Sequence, residues 1–513
     1  MKKCLLFISM ISMFFACQSG EKTETNPRPN IIFIMTDDHS IQTMSAYDNR
    51  FIETPNLDRI AEEGVLFTNS FVSNSICAPS RAVMLTGKHS HLNGQTDNFT
   101  RFDSSQMTFP KYLQVAGYQT ALIGKWHLKS QPTGFDHWEV LRGQGHYYNT
   151  DFRSPKGWDK SQGYVTDVIT DKSIDWLENR DMEKPFCLLT HHKATHRIWM
   201  PDTSLFNEFT GVEFEVPDNF FDTYEGREAA QDHVMGIARD MDLVYDLKML
   251  DEEGVLQTRY RKLYENFITL LSPEERIAWD AYYDPIIKDF LNAELEGEAL
   301  ALWKYQRYMQ DYLKCVRSVD NNVGRLLDYL DESGLAENTI VVYTSDQGFY
   351  MGEHGWFDKR YMYEESFRTP LVMRLPKNME VNNNVDKLVQ NIDYAPTFLD
   401  FAGVDIPEDM QGESLKPLLT GESQDWRDAL YYHYYEYPNE HGVHKHYGIR
   451  TDRYKLIHFY GDVNSWELYD LENDPKEMKN LYGQPEQEAL VVELKSKLKE
   501  LQAVYGVEGF EFQ

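Results

Sequence analysis

The stretch Ile31-Ile32-Phe33-Ile34-Met35-Thr36-Asp37-Asp38-His39 runs from five consecutive apolar side chains straight into two carboxylates and an imidazole. An unbroken apolar run of this length reads as a strand buried on both faces, which belongs in a parallel sheet covered by helices. Three further runs repeat the pattern. Thr120 to Ile123 leads into Gly124-Lys125-Trp126-His127, and Phe186 to Thr190 into His191-His192 and then His196. Thr339 to Tyr343 leads into Ser345-Asp346-Gln347-Gly348, and Leu371-Val372-Met373 reads as a fifth strand. Helical spacing over residues 56–63, 108–116, 165–179 and 312–332 separates them, so the class is α/β with a largely parallel sheet. Ligands of such sheets bind beyond the carboxyl ends of the strands. Any one of the four polar clusters alone reads as a cap, a turn or surface. Four at one sheet edge read as a site.

The residue types narrow the chemistry. Asp37, Asp38, Asp346 and Gln347 offer oxygen donors only, which suits calcium or magnesium and not zinc. The bland alternative is a helix cap plus a turn. In Ser75-Ile76-Cys77-Ala78-Pro79-Ser80-Arg81, Pro79 suits the first turn of a helix with Cys77 just before it. A group there faces free N–H donors and the positive end of the helix dipole, with Arg81 one turn on. Taken alone this is also an ordinary helix start.

The rest of the chain divides by texture. Lys2 and Lys3 precede an apolar run from Leu5 to Phe15, too short to span a membrane, which ends in Ala16-Cys17 and a polar stretch. Residues 1–16 read as a signal peptide of lipoprotein type, with Cys17 as the lipidated residue, or as an ordinary cleaved signal; residues 17–27 read as a linker. The expected location is the periplasm or an outer-membrane-associated lipid anchor. Residues 28–424 form the expected catalytic domain, with a helical insertion at about 205–310, either a lid or a solvated excursion. Residues 425–513 read as a small α+β subdomain with short antiparallel strands and a closing amphipathic helix over 488–503. Cys187 and Cys315 read as buried thiols, with a disulfide between them left open.

The 513 residues carry 82 acidic against 51 basic side chains, a formal net charge of -31. That balance excludes general nucleic-acid binding. It also requires any anionic substrate to be drawn by a local basic pocket.

Cys77-Ala78-Pro79-Ser80-Arg81 resembles the maturation motif of the type I sulfatases of the alkaline phosphatase superfamily. Gly117 through His127, Arg28 to Asp38, and Ser345 to Gly348 resemble their other signatures, from about residue 28 to the end. Gln347 stands where many members carry Asn, and it keeps an amide oxygen. The resemblance implies a large mixed, mostly parallel sheet flanked by helices, with a smaller C-terminal subdomain. It implies one Ca2+ held by Asp37, Asp38, Asp346 and Gln347, and a formylglycine made from Cys77 by a formylglycine-generating or anaerobic sulfatase-maturating enzyme. That residue, hydrated to a diol and also bound to the metal, would attack sulfur. By the same resemblance Asp346 activates the nucleophile and Lys125 and Lys359 hold the sulfate. His196 protonates the leaving oxygen, His127 serves the elimination that restores the aldehyde, and Arg81 steadies the formylglycine. Arg360 is the rival of Lys359; His191 and His192 are the rivals of His196.

Phe135 to Asn149 and His444-Lys445-His446-Tyr447-Gly448-Ile449-Arg450-Thr451 resemble bacterial N-acetylglucosamine-6-sulfatases. This makes a 6-O-sulfated N-acetylglucosamine of glycosaminoglycan or mucin glycans the expected substrate, with His146, His444, His446 and Arg450 as candidate substrate-binding residues. The alternatives are a carbohydrate sulfatase of other regiochemistry, a superfamily phosphodiesterase, and a non-catalytic glycan-binding lipoprotein.

Overall fold

The computed structural model describes residues 28–509, apart from 252, 253, 255, 257, 378, 380, 423 and 424. The proposed signal, Cys17 and the linker lie outside the described residues.

The strand Asn30–Thr36 sits near the middle of a ten-stranded sheet. It pairs in parallel with Phe186–His191 on one side and Thr339–Ser345 on the other. Gln119–Gly124 and His137–Leu141 extend the parallel block beyond Phe186–His191. Antiparallel pairs flank the block: Leu371–Arg374 beside Thr339–Ser345, and the hairpin Asp151–Ser154 with Gly157–Lys160 at the far edge. The register aligns the strand ends: Thr36 is opposite Ser345, Met35 opposite His191, and His191 opposite Gly124.

Alternation splits the apolar runs between two cores. Ile32 and Ile34 pack with Ala121, Ile123, Leu188 and Val341 on the face covered by Pro55–Glu62, Val165–Asn179 and Gly297–Glu332. Ile31, Phe33 and Met35 pack with Leu122, Leu189 and Val342 under Cys77–Thr86, Phe109–Val115 and Tyr394–Phe401. Both faces of the central strand are therefore apolar from Ile31 to Met35, and its charged groups begin only where the sheet ends.

The insertion departs from the helical expectation. Among the described residues of 206–260 the only helix is the short Glu228–Gln231; helices begin in earnest at Arg261–Ile268 and Pro273–Ala293. The helix Gly297–Glu332 starts fifteen residues before its expected start at 312 and carries the chain back to the sheet. The irregular half is organised by side-chain bonds: Asp242 accepts from the backbone N–H groups of Val244 and Tyr245, and Asp246 pairs with Arg197. A four-stranded antiparallel sheet follows, made by Ala429–Tyr434, His446–Thr451, Tyr454–Phe459 and Ser465–Asp470, with the helix Glu488–Val504 against it. Cys187 and Cys315 are both buried free thiols.

Gly124 ends its strand with φ near 108°, and a Cβ there would lie 1.9 Å from the His191 carbonyl oxygen. No side chain can relieve a clash with paired backbone. Gly124→Ala should therefore cost about 1–3 kcal/mol, measured as a lowered denaturation midpoint, and should displace Lys125. An unchanged midpoint would contradict this close approach.

Candidate active site

Asp37 and Asp38 follow the central strand, and Asp38 turns into the left-handed region at φ 67°. Its carbonyl accepts from Tyr312 Oη at 2.7 Å and Thr195 Oγ1 at 2.8 Å, which fixes that turn. The backbone N–H of Asp38 donates to Asp346 Oδ1 at 3.2 Å. The three carboxylates converge, with one oxygen from each within 4.8 Å of the others, and all are fully buried.

Each is matched by a cation from another element. Lys125 pairs with Asp37, and Lys359 Nζ lies 2.7 Å from both oxygens of Asp38. Arg81 donates from Nε to Asp346 Oδ2 at 2.9 Å and from Nη1 to the Lys125 carbonyl at 2.9 Å. Burial alone would raise Asp37, but Lys125, His196 and Arg81 outweigh it and hold its carboxyl well below the usual range. Burial and the charge of Asp37 push Asp346 up to about 7 despite Arg81. Burial likewise raises Asp38 against the pull of Lys359. Three converging carboxylates that resist joint ionisation offer a donor set that could hold a cation. Gln347 supports this. Its amide N–H donates to Asp38, while its Oε1 is buried without a partner and free to act as a fourth oxygen ligand.

Cys77 opens the helix Cys77–Thr86 and is buried at this cluster. Its thiol donates to Asp37 Oδ1 at 3.4 Å, and Gln347 Nε2 lies 3.8 Å from Sγ. Burial and Asp37 raise the thiol far above its ordinary range, so unmodified Cys77 is a poor nucleophile.

The histidines separate by geometry. His191 is held behind the site, with Nδ1 3.2 Å from the Lys125 carbonyl and its ring edge-on to Phe33. His192 is buried, and burial pulls it down to about 4. His196 reaches the cluster, with Nε2 3.9 Å from Asp38 Oδ2. Its Nδ1 is 2.6 Å from the Arg197 carbonyl, which only accepts, so Nδ1 carries hydrogen and Nε2 is the atom that takes or gives a proton. His127 stands at φ 58° with Nδ1 buried and unpartnered. Burial and Lys125 hold His127 well below the ordinary range, so it is neutral.

Two candidate substrate-binding residues are corrected. His446 is wholly buried, accepts the Met362 N–H at Nε2 (3.1 Å) and meets the His444 carbonyl at Nδ1 (2.7 Å). Arg450 is buried against Glu364 and lies over the Phe71 ring. Both are committed to packing. His444 stacks on Tyr437 and faces Asp232 at 3.3 Å, while His146 is half-buried against Phe267 with Nδ1 unpartnered.

Beside Lys359, sequence reasoning offered Arg360 only as a rival and missed Asp358, His441 and Glu436. Asp358 bonds His441 Nε2 at 3.2 Å and Arg360 Nε at 3.3 Å, and Arg360 reaches Glu436 at 3.2 Å. Asp358 and Arg360 both have positive φ, as do Asp38 and His127. Such strain gathers at functional sites, but it leaves no trace in residue type here. Lys193 was missed as well. It is buried over the Tyr147 ring, and burial lowers it to about 8.

The sulfatase family model matches residues 29–404, and an N-sulphoglucosamine sulphohydrolase C-terminal model matches residues 352–504. An N-acetylglucosamine-6-O-sulfatase of Bacteroides thetaiotaomicron is 52% identical over 96% of this chain and 89% of its own. A solved structure in complex with its substrate D-glucosamine-2-N,6-O-disulfate is 51% identical, with a TM-score of 0.90, over 94% of this chain and 99% of the other. A phosphonate monoester hydrolase of Agrobacterium radiobacter, 21% identical at a TM-score of 0.66 over 93% and 96% of the two chains, shares the fold. With its four strand-end clusters meeting at one buried site, this chain belongs to the sulfatase family.

Proposed function

We propose that the protein removes the 6-O-sulfate from a glucosamine residue, N-acetylated or N-sulfated, in glycosaminoglycan or mucin-type glycans. The observation that carries this is similarity along nearly the whole chain to an N-acetylglucosamine-6-O-sulfatase and to a structure holding a 6-O-sulfated glucosamine. The cation would be calcium, held by Asp37, Asp38, Asp346 and Gln347. Cys77 would be converted to formylglycine by a maturation enzyme during export through the signal segment, with Cys17 as the lipid attachment point.

Calcium would supply Lewis-acid polarisation of a sulfate oxygen, and formylglycine a hydroxyl nucleophile that a thiol lacks. The chain's own residues do the rest. Lys125 and Lys359 bring two buried ammonium groups to the sulfuryl oxygens, where negative charge grows in the transition state. Asp346, ionised once the cation is bound, would take a proton from the nucleophile. His196 would give the leaving sugar oxygen the Nε2 proton of its imidazolium form, which burial disfavours and the charge of Asp37 favours, with Arg197 and Asp246 fixing the turn that carries it. Neutral His127 is a base for the step that releases sulfate. Arg360, Asp358 and His441 stand next to Lys359, where hydroxyl groups of the sugar would meet them.

Protein produced with a maturation enzyme should release sulfate from N-acetylglucosamine-6-sulfate, and Cys77→Ala should release none. Release only from other esters would keep the sulfatase and discard the sugar. Lys359→Ala should lower kcat/KM by about 10²–10³-fold, whereas a loss under tenfold would remove Lys359 from the sulfate site. Calcium must displace the proton that Asp346 holds up to about pH 7. Calcium affinity, measured by calorimetry on Cys77→Ala protein, should therefore fall as pH drops below 7, approaching about tenfold per pH unit. A flat profile from pH 5 to 8 would contradict that assignment.

A further inference from the structure

The far edge of the main sheet carries a feature that catalysis does not use. The strand Gly157–Lys160 is exposed at all four positions, and Trp158 at its centre is 54% exposed. An indole on an edge strand usually turns inward or is covered. Here the Arg142 guanidinium lies 5.5 Å and the Arg153 guanidinium 5.9 Å from the Trp158 ring. Lys156 and Lys160 stand beside it on the same hairpin and are also exposed.

The local charge is opposite to that of the molecule. Residues 142–160 hold four Lys and Arg against two Asp, in a chain of net charge -31. Among the described residues, none of those four cations forms an ion pair, although arginines elsewhere, such as Arg59, Arg197 and Arg427, are matched to carboxylates. Edge protection needs a charge or two. It does not need an exposed tryptophan flanked by two unmatched guanidinium groups.

The patch is also in line with the active site. Trp158 is opposite Arg153, Arg153 opposite Val140, and Val140 opposite Gly124, the residue before Lys125. The four lie on one row across the sheet, so Trp158 is three strand spacings, about 14 Å, from the catalytic strand. His146 stands between the two regions, where both Lys193 and Arg142 act on it.

We propose that Trp158, Arg142 and Arg153, with Lys156 and Lys160, form a second binding site for the polyanionic glycan chain that carries the target sugar. The indole offers an apolar face to a pyranose ring, and the guanidinium groups take sulfate or carboxylate in bidentate contacts. The site holds sugars several positions away from the one being desulfated and counters the repulsion of the acidic molecule. This rests on the reading of the substrate as a sulfated glycan.

The test uses full-length Cys77→Ala protein and a size-defined heparin oligosaccharide of eight sugars, with binding measured by calorimetry at two salt concentrations. Trp158→Ala and the double variant Arg142→Gln/Arg153→Gln should each weaken binding by about tenfold, Trp158→Phe should restore most of it, and the double variant should flatten the salt dependence. In protein with intact Cys77, the same changes should leave kcat/KM for N-acetylglucosamine-6-sulfate unchanged. Unaltered oligosaccharide binding in both variants would overturn the proposal and leave the patch as edge protection. Loss of monosaccharide turnover in parallel would overturn it too, by placing these residues in the catalytic pocket. Absence of sulfate release from any glucosamine ester would instead count against the substrate reading, which the monosaccharide assay tests by itself.

Discussion

Three carboxylates buried within one small volume are the constraint around which the molecule is arranged. Asp37, Asp38 and Asp346 repel one another in a medium that screens poorly, and each would gain by moving apart or by holding a proton. The sheet prevents the first, because Thr36 and Ser345 are opposite each other in a paired register and the aspartates follow at once. The cations Lys125, Arg81 and Lys359 limit the second. They come from a strand end, a helix and a loop, so the charge balance closes only when all three elements are docked. The residual tendency of Asp346 to stay protonated is what a divalent cation relieves. The site is costly as a structure and is kept for what it binds.

The parts of the site that were legible in the sequence are those where type and position coincide. The apolar run from Ile31 to Met35 announces its own end, and Asp37, with Lys125 and Asp346 after their own strands, was read as a candidate that way. Geometry had to decide where neighbours share a type. Lys359 and Arg360 are adjacent cations, yet one turns to Asp38 and the other to Asp358 and Glu436. Only the turn after Ala194 distinguishes His196 from His191 and His192, and periodicity does not encode it. The irregular half of the insertion was misread as helix because its Asp, Tyr and Leu content imitates helical spacing, while Asp242 and Asp246 spend their carboxylates on backbone N–H groups and on Arg197.

His446 and Arg450 were misread for an instructive reason. Basic and aromatic residues in a strand suggest a sugar pocket, but these two point into the seam between the small sheet and the loop that carries Lys359. His446 accepts the Met362 N–H, and Arg450 and Lys455 both meet Glu364. Tyr363 donates to Glu467 at 2.7 Å, and Trp356 lies parallel to Tyr363 with centroids 5.8 Å apart. Glu467, which burial pushes up to about 7, is thereby tied to the same loop.

That seam gives the C-terminal subdomain a physical task. Residues 349–368 leave the main sheet, pass through a positive-φ turn at Asp358 and Arg360, and return, with little regular structure of their own. A loop of this kind is ordinarily the most mobile part of an active site. Here Lys359 must stay within 2.7 Å of both oxygens of Asp38 to offset its charge. The small sheet supplies the missing rigidity, since His446 holds the loop at Met362 while Arg450 and Lys455 both hold it at Glu364. On the proposed mechanism, the subdomain would act on the reaction through the position of one ammonium group, without touching substrate.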